Sequence, residues 1–371
     1  MLLTEGEATR MTGLSTLPHR SASLRAIAGA LLLITSAACS GDGIGPTSET
    51  ALPGEPTAAA PIDSTITPTP DSLAPVPTDS TGIPPIDSTT VSGAVALLDT
   101  RSKALGIVFA SDGMRTNLIT TVHTGAKLGG AVGPSNVIST LADARERKGR
   151  VILKLCMGAD SYVKNSDGTF SFTKWKTLVD RFRGINLDEY IKDGTILAHF
   201  IIDEPHRTAK WGGKVIPHAT LEAMAAYSKS IWPEMHTMTH TQMAWLTNTS
   251  VVFKNLDAGW AQYTAGKGEV NNWITTEINH AKRKGMGMMV GVNALGGGGP
   301  NSGIKGYWPG KNSMNATEIR TFGAALLKQT YACAFMVWAY NANYYGRSDI
   351  KAALGDISAK AKIHAKTSCR Q

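Results

Sequence analysis

From residue 105 onward the chain alternates between short β-rich, mostly apolar runs and longer stretches in which apolar residues return every three or four positions. The short runs are Leu105–Ala110, Val151–Met157, Ile196–Ile202, His236–Thr239, Ala258–Tyr263, Met288–Val292 and Ala334–Tyr340. Their length suits strands buried on both faces. The longer stretches, 135–148, 173–191, 221–231, 270–284, 316–329 and 348–360, read as helices with one apolar face. A parallel strand pair needs a crossover connection, and an intervening helix supplies it. Seven strands are evident, and an eighth is expected in Asn117–Val122. The expected fold is therefore α/β: a single (β/α)8 TIM-barrel-like domain, allowing for irregularity, with an open doubly wound sheet as the alternative. No GxGxxG follows a strand, so a dinucleotide fold has no support. The run Gly296–Gly299 lacks the Lys-Ser/Thr of a phosphate loop and reads as a flexible loop after a strand.

Before residue 98 the pattern is different. Ala26–Ala38 is an apolar run preceded by Arg20 and Arg25, of signal-peptide length and too short to span a bilayer. It ends Ser36-Ala37-Ala38-Cys39. Small residues before a Cys resemble the lipobox of bacterial lipoproteins, which implies lipidation of Cys39 and anchoring to a membrane facing the periplasm or cell surface. Ordinary cleavage after Ala38, giving a secreted protein, is the alternative. Residues 40–92 hold ten of the 17 prolines among Ser, Thr, Asp and Gly. Such a segment buries too little apolar surface to offset the entropy of ordering it. The expected organisation is a signal peptide at 1–38, a disordered Pro/Ser/Thr-rich linker at 39–97 and the TIM-barrel-like domain at 98–371.

Charge divides along the same boundary. Between Cys39 and Asp99 there is no Lys or Arg, whereas residues 101–371 carry 34 Lys plus Arg against 19 Asp plus Glu. A surplus of 15 positive charges attracts anionic polymers or a negative cell surface. No zinc-finger spacing or other nucleic-acid motif accompanies it, so no nucleic-acid partner is expected. Of the four cysteines, Cys39 belongs to the signal and Cys156 lies in an apolar run as a buried thiol. Cys333 and Cys369 would pair in an oxidising compartment.

In a barrel of this kind the working residues sit at the C-terminal ends of the strands. That rule selects Asp112, Asp160, Tyr162, Asp203, Glu204, His206, His240, Gln242, Gln262, Tyr263, Asn293, Trp338, Tyr340, Asn341 and Asn343. The strongest signal is Phe200-Ile201-Ile202-Asp203-Glu204-Pro205, a buried strand ending in two adjacent carboxylates. Like charges this close raise one pKa, which would keep one carboxyl protonated as a general acid. Pro205 ends the strand's hydrogen bonding and fixes the turn.

A strand ending Asp-Glu-Pro resembles barrel-type glycoside hydrolases. In the clan with an Asn-Glu-Pro motif, the Glu is the acid/base and a Glu on a later strand is the nucleophile. In retaining β-N-acetylhexosaminidases, an adjacent Asp orients the substrate acetamido group and the Glu protonates the leaving oxygen. No Glu ends a later strand here, and Asn293 stands where a nucleophile is expected. The resemblance implies Glu204 as general acid/base with Asp203 as partner, Asp112 as reserve second carboxylate, and a carbohydrate substrate, anionic or N-acetylated. Trp211, Gln262, Asn293, Trp308, Trp338, Tyr340 and Asn341 would bind sugar; of these, Trp211 and Trp308, in Gly/Lys-rich loops, are the candidate stacking platforms. A structural ion pair at Asp203-Glu204 is the plain alternative reading. Two other functions stay open: a non-catalytic carbohydrate-binding lipoprotein, and a metal-dependent hydrolase using His236, His240 and Asp203. No HExxH or GxSxG occurs, and the leading reading needs neither metal nor cofactor.

The N-terminal reading has a direct test. Mass spectrometry of the mature protein from membranes should find Cys39 as the first residue, carrying lipid. An unmodified N-terminus at Cys39 or elsewhere would rule out the anchor.

Overall fold

The computed structural model of the chain describes residues 106–130, 132–156 and 159–369. The expected signal peptide, Cys39, the linker and the first residues of the expected domain lie outside them.

Eight parallel strands close into a barrel. In chain order they begin with β1 (Val108–Asp112), β2 (Gly125–Leu128), β3 (Arg150–Leu153), β4 (Ile196–Asp203), β5 (Thr237–His240), β6 (Ala258–Tyr263) and β7 (Gly287–Asn293). An antiparallel hairpin, β8 (Ile304–Lys305) and β9 (Asn312–Ser313), then precedes the last barrel strand, β10 (Ala332–Trp338). Closure is made by β10 against β1, with Val108 opposite Ala334 and Phe109 opposite Phe335. The helices are α1 (Val137–Glu146), α2 (Phe172–Asp180), α3 (Asp188–Lys192), α4 (His218–Ile231), α5 (Met243–Thr247), α6 (Val270–Arg283), α7 (Ala316–Leu327), α8 (Ala342–Gly346) and α9 (Ser348–Ile363).

Strand alternation divides the apolar residues into two cores. Ala110, Ile152, Phe200, Met238, Trp260 and Met336 fill the barrel. Phe109, Trp175, Ile201, Leu221, Ile274 and Ile357 pack between barrel and helices. Trp260 fits inside because β7 has Gly291 beside it; a Cβ there would run into the Met336 carbonyl and lie 2.9 Å from the indole Nε1.

Two expected elements are placed differently. The eighth strand is Gly125–Leu128, not Asn117–Val122, which forms a short 3-10 turn and a loop anchored by buried Ile119. This strand escapes the pattern because its sequence is GAKL. Gly125 is required by close approach to the Arg150 carbonyl, and Lys127 points to the axis. The helix expected over 173–191 is two helices, separated by a turn in which Gly184 adopts φ +87°.

Cys333 of β10 is joined to Cys369, 36 residues later, with Cα atoms 5.2 Å apart. Cys369 is buried with the interior cluster at the N-terminal end of the barrel, so the bond holds the C-terminal segment under the strands. Cys156 is free and buried, and burial pushes its thiol up to about 11, which leaves it unreactive. Removing the cross-link with Cys369→Ala should cost about 2–4 kcal/mol, as expected for a loop of this length. Denaturant unfolding of the variant against the oxidised protein checks this, and reduction of the unsubstituted chain should reproduce most of the loss.

Candidate functional site

Interior side chains recur at every second residue of a strand. At the C-terminal ends this delivers Asp112 from β1, Lys127 from β2, Lys154 just past β3, His240 from β5, Gln262 from β6, Asn293 from β7 and Trp338 from β10. In β4 the same count, inward at Ala198 and Phe200, would bring Ile202 in and turn Asp203 out. A bulge between Phe200 and Ile202 reverses it. There the Ile201 carbonyl accepts a hydrogen bond from the Trp175 indole at 2.8 Å, and Ile201 and Ile202 both join the outer core. The extra residue swings Asp203 to the axis, opposite His240.

The charges so gathered are paired. Lys127 Nζ lies 2.6 Å from Asp112 Oδ1. Lys154 Nζ lies 3.3 Å from Asp160 Oδ1. Lys210, in a short 3-10 turn after β4, reaches back to Asp160 Oδ2 at 2.9 Å and Asp203 Oδ2 at 2.5 Å, and stands 3.6 Å from Glu204 Oε2. His240 Nδ1 takes the other Asp203 oxygen at 2.7 Å and stacks on Trp260 with ring centroids 4.2 Å apart. Burial alone would raise the Asp203 carboxyl. The His240 hydrogen bond and charge, with Lys210 and Lys127, outweigh it and hold Asp203 well below the usual range. The expectation of a raised pKa from the neighbouring carboxylate therefore fails at Asp203, because cations surround it. Burial would likewise lower Lys210, but Asp203 and Asp160 more than offset that and hold it up.

Glu204 has φ +47°, in the left-handed region that a residue with a Cβ rarely occupies. It is held there from both sides. Its N–H donates to the His240 carbonyl at 2.9 Å, and its carbonyl accepts from the Trp211 indole at 3.0 Å. Its Oε2 accepts from Arg207 at 2.7 Å. Pro205 is buried, and its carbonyl accepts from the Ile216 N–H at 2.9 Å, which fixes the turn as expected.

The remaining expected residues divide. Trp211 is 1% exposed and holds the Glu204 backbone, so it offers no free face to a sugar. Trp308 is 41% exposed and lies flat on Trp338, centroids 4.5 Å apart and planes within 9°, at the β7–β10 side of the barrel mouth. The glycine run beneath it is packed rather than loose: a side chain at Gly296 would strike the Trp308 ring, and one at Gly298 the Ser313 carbonyl. Asn293 Oδ1 accepts from the Gly296 N–H at 2.9 Å, holding this turn. Asn341 caps α8 by accepting from the Tyr344 N–H at 2.9 Å. The Tyr340 N–H donates to the Asp112 carbonyl at 2.9 Å. Gln262 Nε2 is buried without a partner among the described residues, and its main-chain carbonyl accepts from Lys267 at 2.6 Å.

The histidines do not converge. His240 is at the mouth, whereas His236 lines a cavity at the opposite end of the barrel with Cys333 and Cys369. His199 packs against Trp175 and Trp232 in the outer core. Among the described residues no group of three or more His, Cys, Asp or Glu is arranged to hold a metal ion. Sequence reasoning missed Lys127, Lys154 and Lys210. Lys154 had a signal, a lysine inside an otherwise apolar strand; Lys127 and Lys210 had none.

No protein-family model and no curated protein matches the chain. Among solved structures, similarity is found to a GH113 β-1,4-mannanase, at 11% identity over 70% of this chain and 98% of the other, with a TM-score of 0.47. A second GH113 β-mannanase, from Alicyclobacillus acidocaldarius, gives 11% identity, 70% and 99% coverage and 0.44. A xylanase from Cellvibrio japonicus in complex with xylopentaose gives 10% identity, 73% and 70% coverage and 0.46. At such distances the chemistry must be argued from this chain's own residues.

The depressed Asp203 carboxyl sets a pH signature. Its folded-state pKa lies below the ordinary 3.8, so its contribution to stability is complete above about pH 4 and is lost as pH falls through the depressed value. Asp203→Asn should cost about 1.5–3 kcal/mol at pH 7, the range for a charge-assisted hydrogen bond. The gap from the unsubstituted protein should close as the pH drops below 4. Denaturant midpoints measured from pH 7 to pH 2 check both the size and the direction.

Proposed function

We propose that this chain is a glycoside hydrolase acting on a polysaccharide or oligosaccharide, anchored at the cell envelope through Cys39. The observation that carries the reading is Glu204. A carboxylate is kept at the mouth of the barrel in a left-handed backbone conformation, clamped by His240 and Trp211. A residue in αL costs about 1–2 kcal/mol relative to an ordinary conformation. Such an expense persists where the surroundings enforce it, and it clusters at functional sites.

In this reading Glu204 is the general acid/base that protonates the leaving glycosidic oxygen. Its Arg207 partner is more than half exposed, so solvent screens that charge. Asp203 is a positioning residue. Both its oxygens are engaged, by His240 and Lys210, which disfavours a role in orienting a substrate acetamido group. Through Lys210 it fixes a positive charge beside Glu204. Asp112, on β1 and across β2 and β3 from β4, lines the same cavity as Asp203. It supplies the second carboxylate, activating water. β7 ends in Asn293, whose amide cannot form the glycosyl ester of a retaining enzyme. With Asp112 as the base for water rather than a nucleophile, the expected outcome is inversion at the anomeric carbon, which requires about 6.5–9.5 Å between the Asp112 and Glu204 carboxyls. The Trp308–Trp338 stack provides a sugar platform on the far side of the mouth.

Glu204→Gln keeps the side chain's volume but cannot deliver a proton. After a screen over polysaccharides has found an activity, this variant should lose a factor of about 10²–10⁴ in kcat with the fold and sugar affinity retained. Asp112→Asn should be comparably impaired, and NMR of the first product should show the inverted anomer. Turnover preserved in Glu204→Gln would refute the assignment. Sugar bound but never cleaved by the unsubstituted protein would make it a binding protein, the reading that Asn293 at the end of β7 favours.

A further inference from the structure

The cavity at the strand ends encloses about 600 Å³ and is walled on one side by β1, β2 and β3. Lys127 and Lys154 both line it, with side chains only 8% and 7% exposed. A lysine ordinarily extends its ammonium into water along a flexible stem, and burying it is costly unless the charge is met. Each has a carboxylate beside it, Asp112 and Asp160 respectively. An ammonium carries three donors, however, and Asp112 takes one from Lys127, whose Nζ stands 4.4 Å above the Phe200 ring. At the rim of the same cavity, on the loop after β1, Arg115 is exposed and has no side-chain partner among the described residues. Around the cavity Arg115, Lys127 and Lys154 face Asp112, Asp160 and Asp203, while Lys210 behind them is shared by Asp160, Asp203 and Glu204; the charge left without a side-chain partner among the described residues is Arg115, at the opening. A neutral sugar needs only hydroxyl and amide partners, whereas this wall offers a guanidinium at its rim above two buried ammoniums.

From this wall we infer that the site takes an anionic saccharide, its carboxylate or sulfate held by Arg115 at the rim and by Lys127 and Lys154 below. The inference rests on the glycoside hydrolase reading and names its substrate class. Recognition of a planar carboxylate suits Arg115, whose guanidinium offers a two-pronged donor. The acid group would sit on the β1–β3 wall, apart from the β7–β10 side that carries the Trp308–Trp338 stack.

Calorimetric titration of the complete chain tests this with three sets of probes of equal length: uronate oligosaccharides, the same oligosaccharides with their carboxyls reduced to alcohols, and sulfated oligosaccharides. At low salt an anionic set should bind about tenfold or more tightly than the reduced set, the factor expected of one charge-assisted contact. The preference should fade as ionic strength rises. Arg115→Gln and Lys154→Gln should each remove most of it while the affinity for the reduced probes stays unchanged. Arg115 is on an exposed loop, so its variant keeps the test decisive if Lys154→Gln does not fold. Tighter binding of uronates identifies a carboxylate ligand, and tighter binding of sulfated probes identifies a sulfate. Equal affinity for charged and reduced probes, or a preference that survives both substitutions, overturns the inference and leaves the hydrolase reading in place. Failure to bind any saccharide overturns both.

Discussion

Closing eight parallel strands into a barrel leaves the inward side chains at the strand ends nowhere to go but the axis. Everything at this site follows from that constraint. Asp112, Lys127, Lys154, Asp203 and His240 come from five consecutive strands and share one mouth. Charges in so small a space must neutralise one another, because an uncompensated buried charge costs several kcal/mol. The pairs Lys127–Asp112 and Lys154–Asp160, and the bridge from Lys210 to Asp160 and Asp203, meet that requirement. Lys210 matters most among them, since it is the cation that ties the loop after β4 back over the strand ends.

The fold makes this polar layer tolerable by keeping it separate from the apolar one. Below the mouth, Phe200, Trp260, Met289 and Met336 fill the barrel, and the Lys127 ammonium stands at their upper edge, 4.4 Å above the Phe200 ring. His240 marks the boundary, stacked on Trp260 with its Nδ1 on Asp203. The bulge in β4 is what allows Asp203 to join the upper layer at all. It is stabilised from outside the barrel, where the Trp175 indole satisfies the Ile201 carbonyl that a regular ladder would otherwise have used. A tryptophan in the helix layer therefore sets the direction of a carboxylate on the axis.

Much of the barrel could be read from the chain because most of its strands are continuous apolar runs, the usual pattern of a strand buried on both faces. GAKL could not be read, since Gly125 is fixed by a neighbour's carbonyl and Lys127 by the site, and neither reason is local. The end of β4 was legible for the opposite reason: two carboxylates after an apolar strand contradict their surroundings. The direction of Asp203 was not, because it depends on a bulge. Trp211 was misjudged since a Gly/Lys-rich loop suggests exposure, whereas the indole is folded inward onto the Glu204 carbonyl. The glycine run was misjudged likewise. Its residues lack side chains because Trp308 and the Ser313 carbonyl occupy that space, not because the loop must move.

The mouth is asymmetric, and the asymmetry bears on how a substrate would lie. Strands β1 to β5 contribute the ionisable residues, while β6, β7 and β10 contribute Gln262, Asn293 and Trp338. Asn293 and the packed glycines fix the turn beneath Trp308, and Trp308 lies flat on Trp338, so the aromatic surface is preset rather than formed on binding. Glu204 is preset too, its backbone hydrogen-bonded on both sides and its φ held against its preference. Rigid placement of both ends lowers the entropy that binding must remove and fixes the reacting bond relative to the acid. In the proposed reaction a saccharide would rest one ring on the tryptophans and present its glycosidic oxygen toward Glu204. The strain at Glu204 then has a physical rationale, since relaxing φ to an ordinary value would rotate the carboxylate away from that oxygen.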